Sequence, residues 1–135
     1  MLDTLRQTGY HSPSAMQHVT GIGGLFFRSK NPAALGQWYK ENLGIDLVPR
    51  DYGEKPWSQE AGPTVFAPFP HDTDHFGSAD KQWMINLRVR NLDGMVQQLR
   101  AAKIDVSVDP ETYPNGRFAR LQDPEGNPIE LWEPK

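Results

Sequence analysis

At 135 residues, 23% of them charged, with a formal net charge of −3 and no cysteine, the chain has room for one domain around one core. The slightly acidic balance, without a Lys/Arg run, gives no attraction for nucleic acid or an anionic membrane surface, and no apolar stretch approaches the ~20 residues of a membrane span. The lack of cysteine excludes disulfides, thiolate metal sites and a Cys nucleophile, and it suits a reducing cytoplasm.

In chain order, residues 1–17 are polar and lack the apolar centre of a secretory signal, which predicts a flexible N-terminal extension. Patterned sequence begins near Val19 and runs to Pro134, which predicts a single domain over 18–134. A repeat offset by 60 positions divides it into modules of about 18–70 and 80–134. Leu25-Phe26-Phe27-Arg28-Ser29-Lys30-Asn31 corresponds to Ile85-Asn86-Leu87-Arg88-Val89-Arg90-Asn91. Each copy predicts a strand, an Asn cap and an amphipathic helix. Asn31 can accept from the free N–H groups of a first turn, and Pro32 stands where its missing donor costs nothing. Leu35, Trp38, Tyr39 and Leu43 share one helical face and Gly44 can close the helix, so the first spans Pro32–Leu43. Leu92, Met95, Val96 and Leu99 repeat the pattern and predict a helix over Leu92–Ala102, with Lys103 where a closing Gly would be easier.

Shorter strand signals follow each helix. They lie at Ile45–Val48, around Trp57–Glu60 and at Thr64–Phe69, then at Asp105–Val108, Arg117–Gln122 and Pro128–Glu133. Tyr113-Pro114-Asn115-Gly116 reads as a turn between two of them. Strand, helix and three strands, stated twice, is a βαβββ module repeated. The alternative is a ferredoxin-like α+β domain, which predicts fewer strands after each helix.

The chain ends in Asp-Pro-Glu-Gly-Asn-Pro-Ile-Glu-Leu-Trp, residues 123–132, a tight turn feeding a strand with Ile129 and Leu131 on one face and Glu130 and Trp132 on the other. This segment resembles the C-terminal signature of the vicinal oxygen chelate superfamily, the group of glyoxalase I, extradiol dioxygenases and bleomycin resistance proteins. The resemblance covers residues 18 to 134. It implies an α+β fold of two βαβββ modules whose sheet curls around a cleft, often completed across a homodimer axis. In metal-dependent members the residue corresponding to Glu130 is a metal ligand.

Alternation assigns the faces. Trp83, Ile85, Leu87 and Val89 form an apolar set for the helix side, which leaves Met84, Asn86 and Arg88 for the cleft. Carried back by 60 positions, Gly24, Phe26 and Arg28 face the cleft. Phe118 and Arg120 join them opposite the core-like Ala119 and Leu121, and Trp57, Gln59 and Glu60 can close one side. The resemblance places metal ligands at one cleft position on the first and last strand of each module. Here those positions are Gly24, Met84, the stretch Thr64-Val65-Phe66-Ala67 and Glu130, and only Glu130 can bind a divalent ion. The expectation is therefore no metal cofactor, with Glu130 as the candidate catalytic residue or the partner of Arg120 or Arg88. The alternative is a divalent metal held by Glu130 with His71 or His75. His71-Asp72-Thr73-Asp74-His75 has metal-like spacing, but between Pro70 and Gly77 it lacks an apolar face and reads as a solvated loop.

The candidate ligand-binding set is Phe26, Arg28, Trp57, Met84, Asn86, Arg88, Phe118, Arg120 and Trp132 around Glu130. Three Arg against one Glu leave spare positive charge that favours an anionic oxygen, and with the apolar lining of Phe26, Met84, Phe118 and Trp132 the expected ligand is a small anionic or aromatic organic molecule. The alternatives are a glyoxalase-type lyase or dioxygenase, and a structural module whose aromatics fill the cleft. No nucleophile–base–orienter arrangement is visible.

Overall fold

A computed structural model describes residues 16–135; the expected extension up to residue 15, with His11, lies outside the described residues. Helix α1 spans Pro32–Leu43, strand β1 Ile85–Arg88, helix α2 Leu92–Ala101, and strands β2, β3 and β4 Ser107–Val108, Gly116–Gln122 and Pro128–Pro134.

Both helices start as their caps dictate. The Asn31 side chain accepts from Ala34 N (3.2 Å) with Pro32 in the first turn, and Asn91 accepts from Gly94 N (2.9 Å). Gly44 ends α1 in the left-handed region at φ 73°, sending its N–H to Lys40 O. The second helix closes differently. Ala102 bonds back to Gln98 and Leu99, and Lys103 itself takes φ 66°, a conformation that disfavours a Cβ.

The four strands form one mixed sheet in the order β1-β4-β3-β2, with β1 parallel to β4 and the others antiparallel. β1, α2 and β2–β4 are the second module, complete. Side-chain parity follows the alternation. Ala119, Leu121, Ile129 and Leu131 bury themselves with Leu92, Val96 and Leu99 of α2 and Leu35 and Tyr39 of α1. Ile85, Leu87 and Val89 pack against the same cluster.

The β3–β4 turn ties α1 to this sheet. Buried Asp123 accepts from Tyr39 Oη (2.7 Å), Glu125 N, Asn127 N and Asn127 Nδ2. Burial first, then the Asp123 carboxylate, pushes the Tyr39 phenol well above its usual value. Glu125 reaches the other end of the connection, accepting from Ser29 Oγ (2.7 Å), Lys30 N (2.9 Å) and Asn31 N (3.2 Å) just ahead of α1. The signature turn is thus a clamp on the first helix.

The first module keeps its helix but not its strands. Leu25–Asn31, Ile45–Val48, Trp57–Glu60 and Thr64–Phe69 join no β-ladder. The physical reason is that alternation gives strand character only where a neighbouring backbone completes the hydrogen bonds, and these segments find none. Many of their apolar side chains stay in the open, although Ile45 packs against the core: Phe26 is 93%, Phe66 85% and Val65 72% exposed. Phe27 still obeys its parity, meeting Tyr39 and Trp83 edge-on.

Candidate functional site

The sheet face opposite the helices floors an open cavity of about 1120 Å³. Strand register arranges this floor in rungs. Asn86, Glu130 and Arg120 stand side by side on β1, β4 and β3; the next rung holds Arg88, Trp132 and Phe118. Rungs two residues apart lie about 7 Å from each other. One is a polar rung with a carboxylate at its centre, the other an aromatic rung with a guanidinium at its end.

On the polar rung, Asn86 Nδ2 donates to Glu130 Oε1 at 2.8 Å. The second oxygen, Oε2, faces Arg120 Nη2 at 3.7 Å and His75 Nε2 at 3.5 Å, with the Glu130 side chain 12% exposed. Arg120 in turn holds the loop, Nη1 donating to the His75 carbonyl at 2.7 Å while Nη2 stands 2.7 Å from Nδ1. Phe69 stacks on the imidazole, centroids 5.1 Å apart. A solvated 71–75 loop was expected, and its first residues are turns, but His75 is folded back over Glu130. Spacing alone carried no sign of this. The flanking Phe69 and Phe76, which meet each other beside His75, are the one local signal that the loop's end would turn inward.

On the aromatic rung, Trp132 is fixed by its indole N–H donating to Asn115 O at 2.8 Å. Phe118 lies parallel to it, 5° between ring planes and 6.4 Å between centroids, and Tyr113 meets Phe118 edge-on. Arg88 Nη2 donates to Glu60 O at 3.1 Å, while the Glu60 carboxylate pairs with Arg90 instead. The Arg88 guanidinium lies against the Gly62 backbone, where a Cβ would overlap Nη1 and Cζ.

Trp57, Met84, Asn86, Arg88, Phe118 and Trp132 all line the cavity with Glu130. Gln59 and Glu60 close one side. Arg120 sits at its margin, in a smaller recess shared with Tyr113 and Ser107. Phe26 and Arg28 do not reach the cavity: the 60-residue offset assumed a first strand in the sheet, and that segment is unpaired. Among the described residues, no three His, Asp or Glu side chains gather around one point. No helix among them is long and apolar enough to cross a membrane.

The profile of the glyoxalase-like domain family matches residues 24–132. A lactoylglutathione lyase from Agrobacterium tumefaciens shares the fold at a TM-score of 0.57 and 16% identity, over 87% of this chain and 96% of its own. An antibiotic binding protein from Streptomyces sp. CB03234 does so at 0.53 and 23%, over 87% and 100%. A glyoxalase/bleomycin resistance protein from the same organism is 30% identical, but over only 39% of this chain and 46% of its own length, with a TM-score of 0.35. No curated protein matches significantly. A sheet of this topology, its signature turn and a family match across both modules agree: the chain belongs to the glyoxalase-like domain family of the vicinal oxygen chelate superfamily.

Proposed function

We propose that the domain binds a small organic molecule, anionic or aromatic, in the cavity over its sheet, and that it does so without the divalent metal site of its superfamily. The observation that carries this is the floor itself: a parallel Phe118–Trp132 pair beside Arg88, under an open volume of the size small-molecule sites have. Open space over the rungs speaks against a closed structural module. The neighbours in fold include a binding protein and a lyase, so the fold leaves both uses open and the site must decide.

Three features support the metal-free part of the reading. Met84 stands just ahead of β1, at the position where the superfamily would need a ligand, and Thr64–Ala67 supplies no imidazole or carboxylate. Glu130 already accepts from Asn86 and faces the Arg120 guanidinium, whose charge opposes a cation at the same oxygen. Among the described residues, His75 is the one further ligand-type side chain within reach, and two ligands fall short of a divalent site. The competing reading, a glyoxalase-type lyase or dioxygenase with a metal on Glu130 and His75, rests on that 3.5 Å approach.

The same reading includes a homodimer in the cytoplasm. Among the described residues, the unpaired first-module segments and the free edge of β1 offer a second copy both backbone and apolar side chains, and exposed edges of this kind tend to be covered. The absence of cysteine suits a reducing compartment.

Metal analysis of protein purified without added metal, followed by thermal-shift titration with aromatic acids, tests the proposal. The expected result is no bound metal and a ligand-dependent rise in Tm. Zinc, nickel, manganese or iron retained through dialysis and released by Glu130→Gln would overturn it in favour of the metal reading. A single monomeric species in light scattering at micromolar concentration would remove the dimer.

A further inference from the structure

Two arginines stand on the cavity side of the sheet, Arg88 on the cavity floor and Arg120 at its margin, and they are not equivalent. Arg120 is occupied: it donates to the His75 carbonyl, contacts the imidazole and faces the Glu130 carboxylate. Arg88 has no carboxylate partner among the described residues. Glu60 gives it only a backbone oxygen and spends its side chain on Arg90. The other acidic side chain near this end of the cavity, Glu133, is turned to the start of α2, where it accepts from Leu92 N. A guanidinium in register beside Trp132, bonded to one neutral acceptor, is incomplete as an ion pair.

Its position is also deliberate in the backbone. The guanidinium rests on Gly62, where any side chain would overlap it, and Nη2 is tethered to Glu60 O. Register puts Arg88 beside Trp132 and Trp132 beside Phe118, all on one face. A planar ring lying over Trp132 and Phe118 would therefore carry a substituent directly toward Arg88. On this basis we infer that the ligand is a planar aromatic molecule bearing a carboxylate or equivalent anionic oxygen, with Arg88 as the anion receptor and Gly62 as the residue that lets Arg88 lie where it does. The inference rests on the binding function proposed above and narrows it from anionic or aromatic to both in one molecule.

The test uses the whole chain and three probes: 2-naphthoate, its neutral isostere 2-naphthamide, and cyclohexanecarboxylate as a non-aromatic acid. Binding is followed by quenching of Trp fluorescence and by calorimetry. A charge-assisted bidentate contact predicts that naphthoate binds about tenfold or more tightly than naphthamide. Arg88→Met should bring the two to similar affinity while naphthamide binding persists. Gly62→Ala should weaken naphthoate and spare naphthamide, with the thermal melt reporting that the variant folds. Cyclohexanecarboxylate should bind more weakly than naphthoate. Equal binding of naphthoate and naphthamide by the wild type overturns the inference and leaves the binding function standing. So does an acid preference lost in Arg120→Met but kept in Arg88→Met. No detectable binding of either aromatic probe overturns the inference together with the function beneath it.

Discussion

The two halves of the chain begin alike and end differently. Asn31 and Asn91 cap helices through the same acceptor geometry, and each helix puts a leucine-rich face into one shared core. After α2 the chain returns as three strands; after α1 it joins no ladder before β1 and leaves much of its apolar surface exposed. The contrast separates two kinds of structural information. A helix closes its own hydrogen bonds, so a capped amphipathic segment needs only a surface to lie on. A strand needs another backbone beside it: the chain after α2 folds as β2, β3 and β4, with β4 alongside β1, while among the described residues the first half joins no ladder. All the rungs of the candidate site are therefore built by the second half, and the first contributes walls.

The largest expected effect contrasts the packed half with the open one. Ile129→Ala, which empties a position 1% exposed between the sheet and the helices, should cost about 2–5 kcal/mol. Phe66→Ala, at a side chain 85% exposed, should stay within about 0.5 kcal/mol in dilute, monomeric protein. Urea denaturation of both variants measures the difference. A large loss for Phe66→Ala at low concentration would mean that the first-half segments pair within one chain. A loss that grows with concentration would instead place them between copies.

Much of this division was legible in advance, for reasons that lie in particular residues. The caps at Asn31 and Asn91 and the left-handed Gly44 act locally, so sequence reading placed both helices to within a residue. Alternation on β1, β3 and β4 sorted Asn86, Arg88, Phe118, Glu130 and Trp132 from Ile85, Leu87, Ala119, Ile129 and Leu131, because parity needs only the strand to exist. Phe26 and Arg28 failed for the complementary reason: the repeat transferred their facing from Asn86 and Arg88, but not the pairing that makes a facing meaningful. His75 was out of reach because its place depends on Arg120, 45 residues away, holding its carbonyl. Which arginine is left without an acid also depends on such distant choices, Glu60 taking Arg90 rather than Arg88.

The clamp between the halves should give the next largest effect. Asp123→Ala strands the Tyr39 hydroxyl and the turn's N–H groups in a buried setting, and the expected loss is about 3 kcal/mol. Tyr39→Phe removes one of these bonds and should cost about 1–2 kcal/mol. The comparison sharpens if the two differ, since only Asp123 also organises the turn. Equal losses would reduce the clamp to a single hydroxyl–carboxylate contact.

A smaller effect distinguishes the two helix ends. Lys103 is exposed and holds φ 66°, where glycine is free of the steric penalty that any Cβ carries. Lys103→Gly should stabilise the protein by about 0.5–1 kcal/mol, the gain being tempered by the extra freedom glycine has in the unfolded chain. Gly44→Ala, which imposes that penalty on α1, should lose a similar amount. A destabilising Lys103→Gly would show that α2 does not close through the left-handed residue.

The subtlest effect is best read through pH rather than size. Glu125 bridges the halves by accepting from Lys30 N, Ser29 Oγ and Asn31 N. The Lys30 N–H first, and the Ser29 hydroxyl second, hold its carboxyl below the usual glutamate range. A carboxylate whose folded value is lowered contributes stability that is fully present above its unfolded value. That contribution disappears as pH falls through the folded one, because the unfolded chain then takes up the proton first. Wild type should therefore exceed Glu125→Gln in stability at neutral pH, and the gap should close on acidification below the ordinary glutamate range. The glutamine keeps the side chain's size and one acceptor oxygen, so a gap that persists unchanged into acid would assign it to shape rather than charge. Denaturation midpoints of the two proteins across that range decide between charge and shape. A closing gap would mean that the second half holds the first helix partly by a carboxylate set against the N–H groups that precede it.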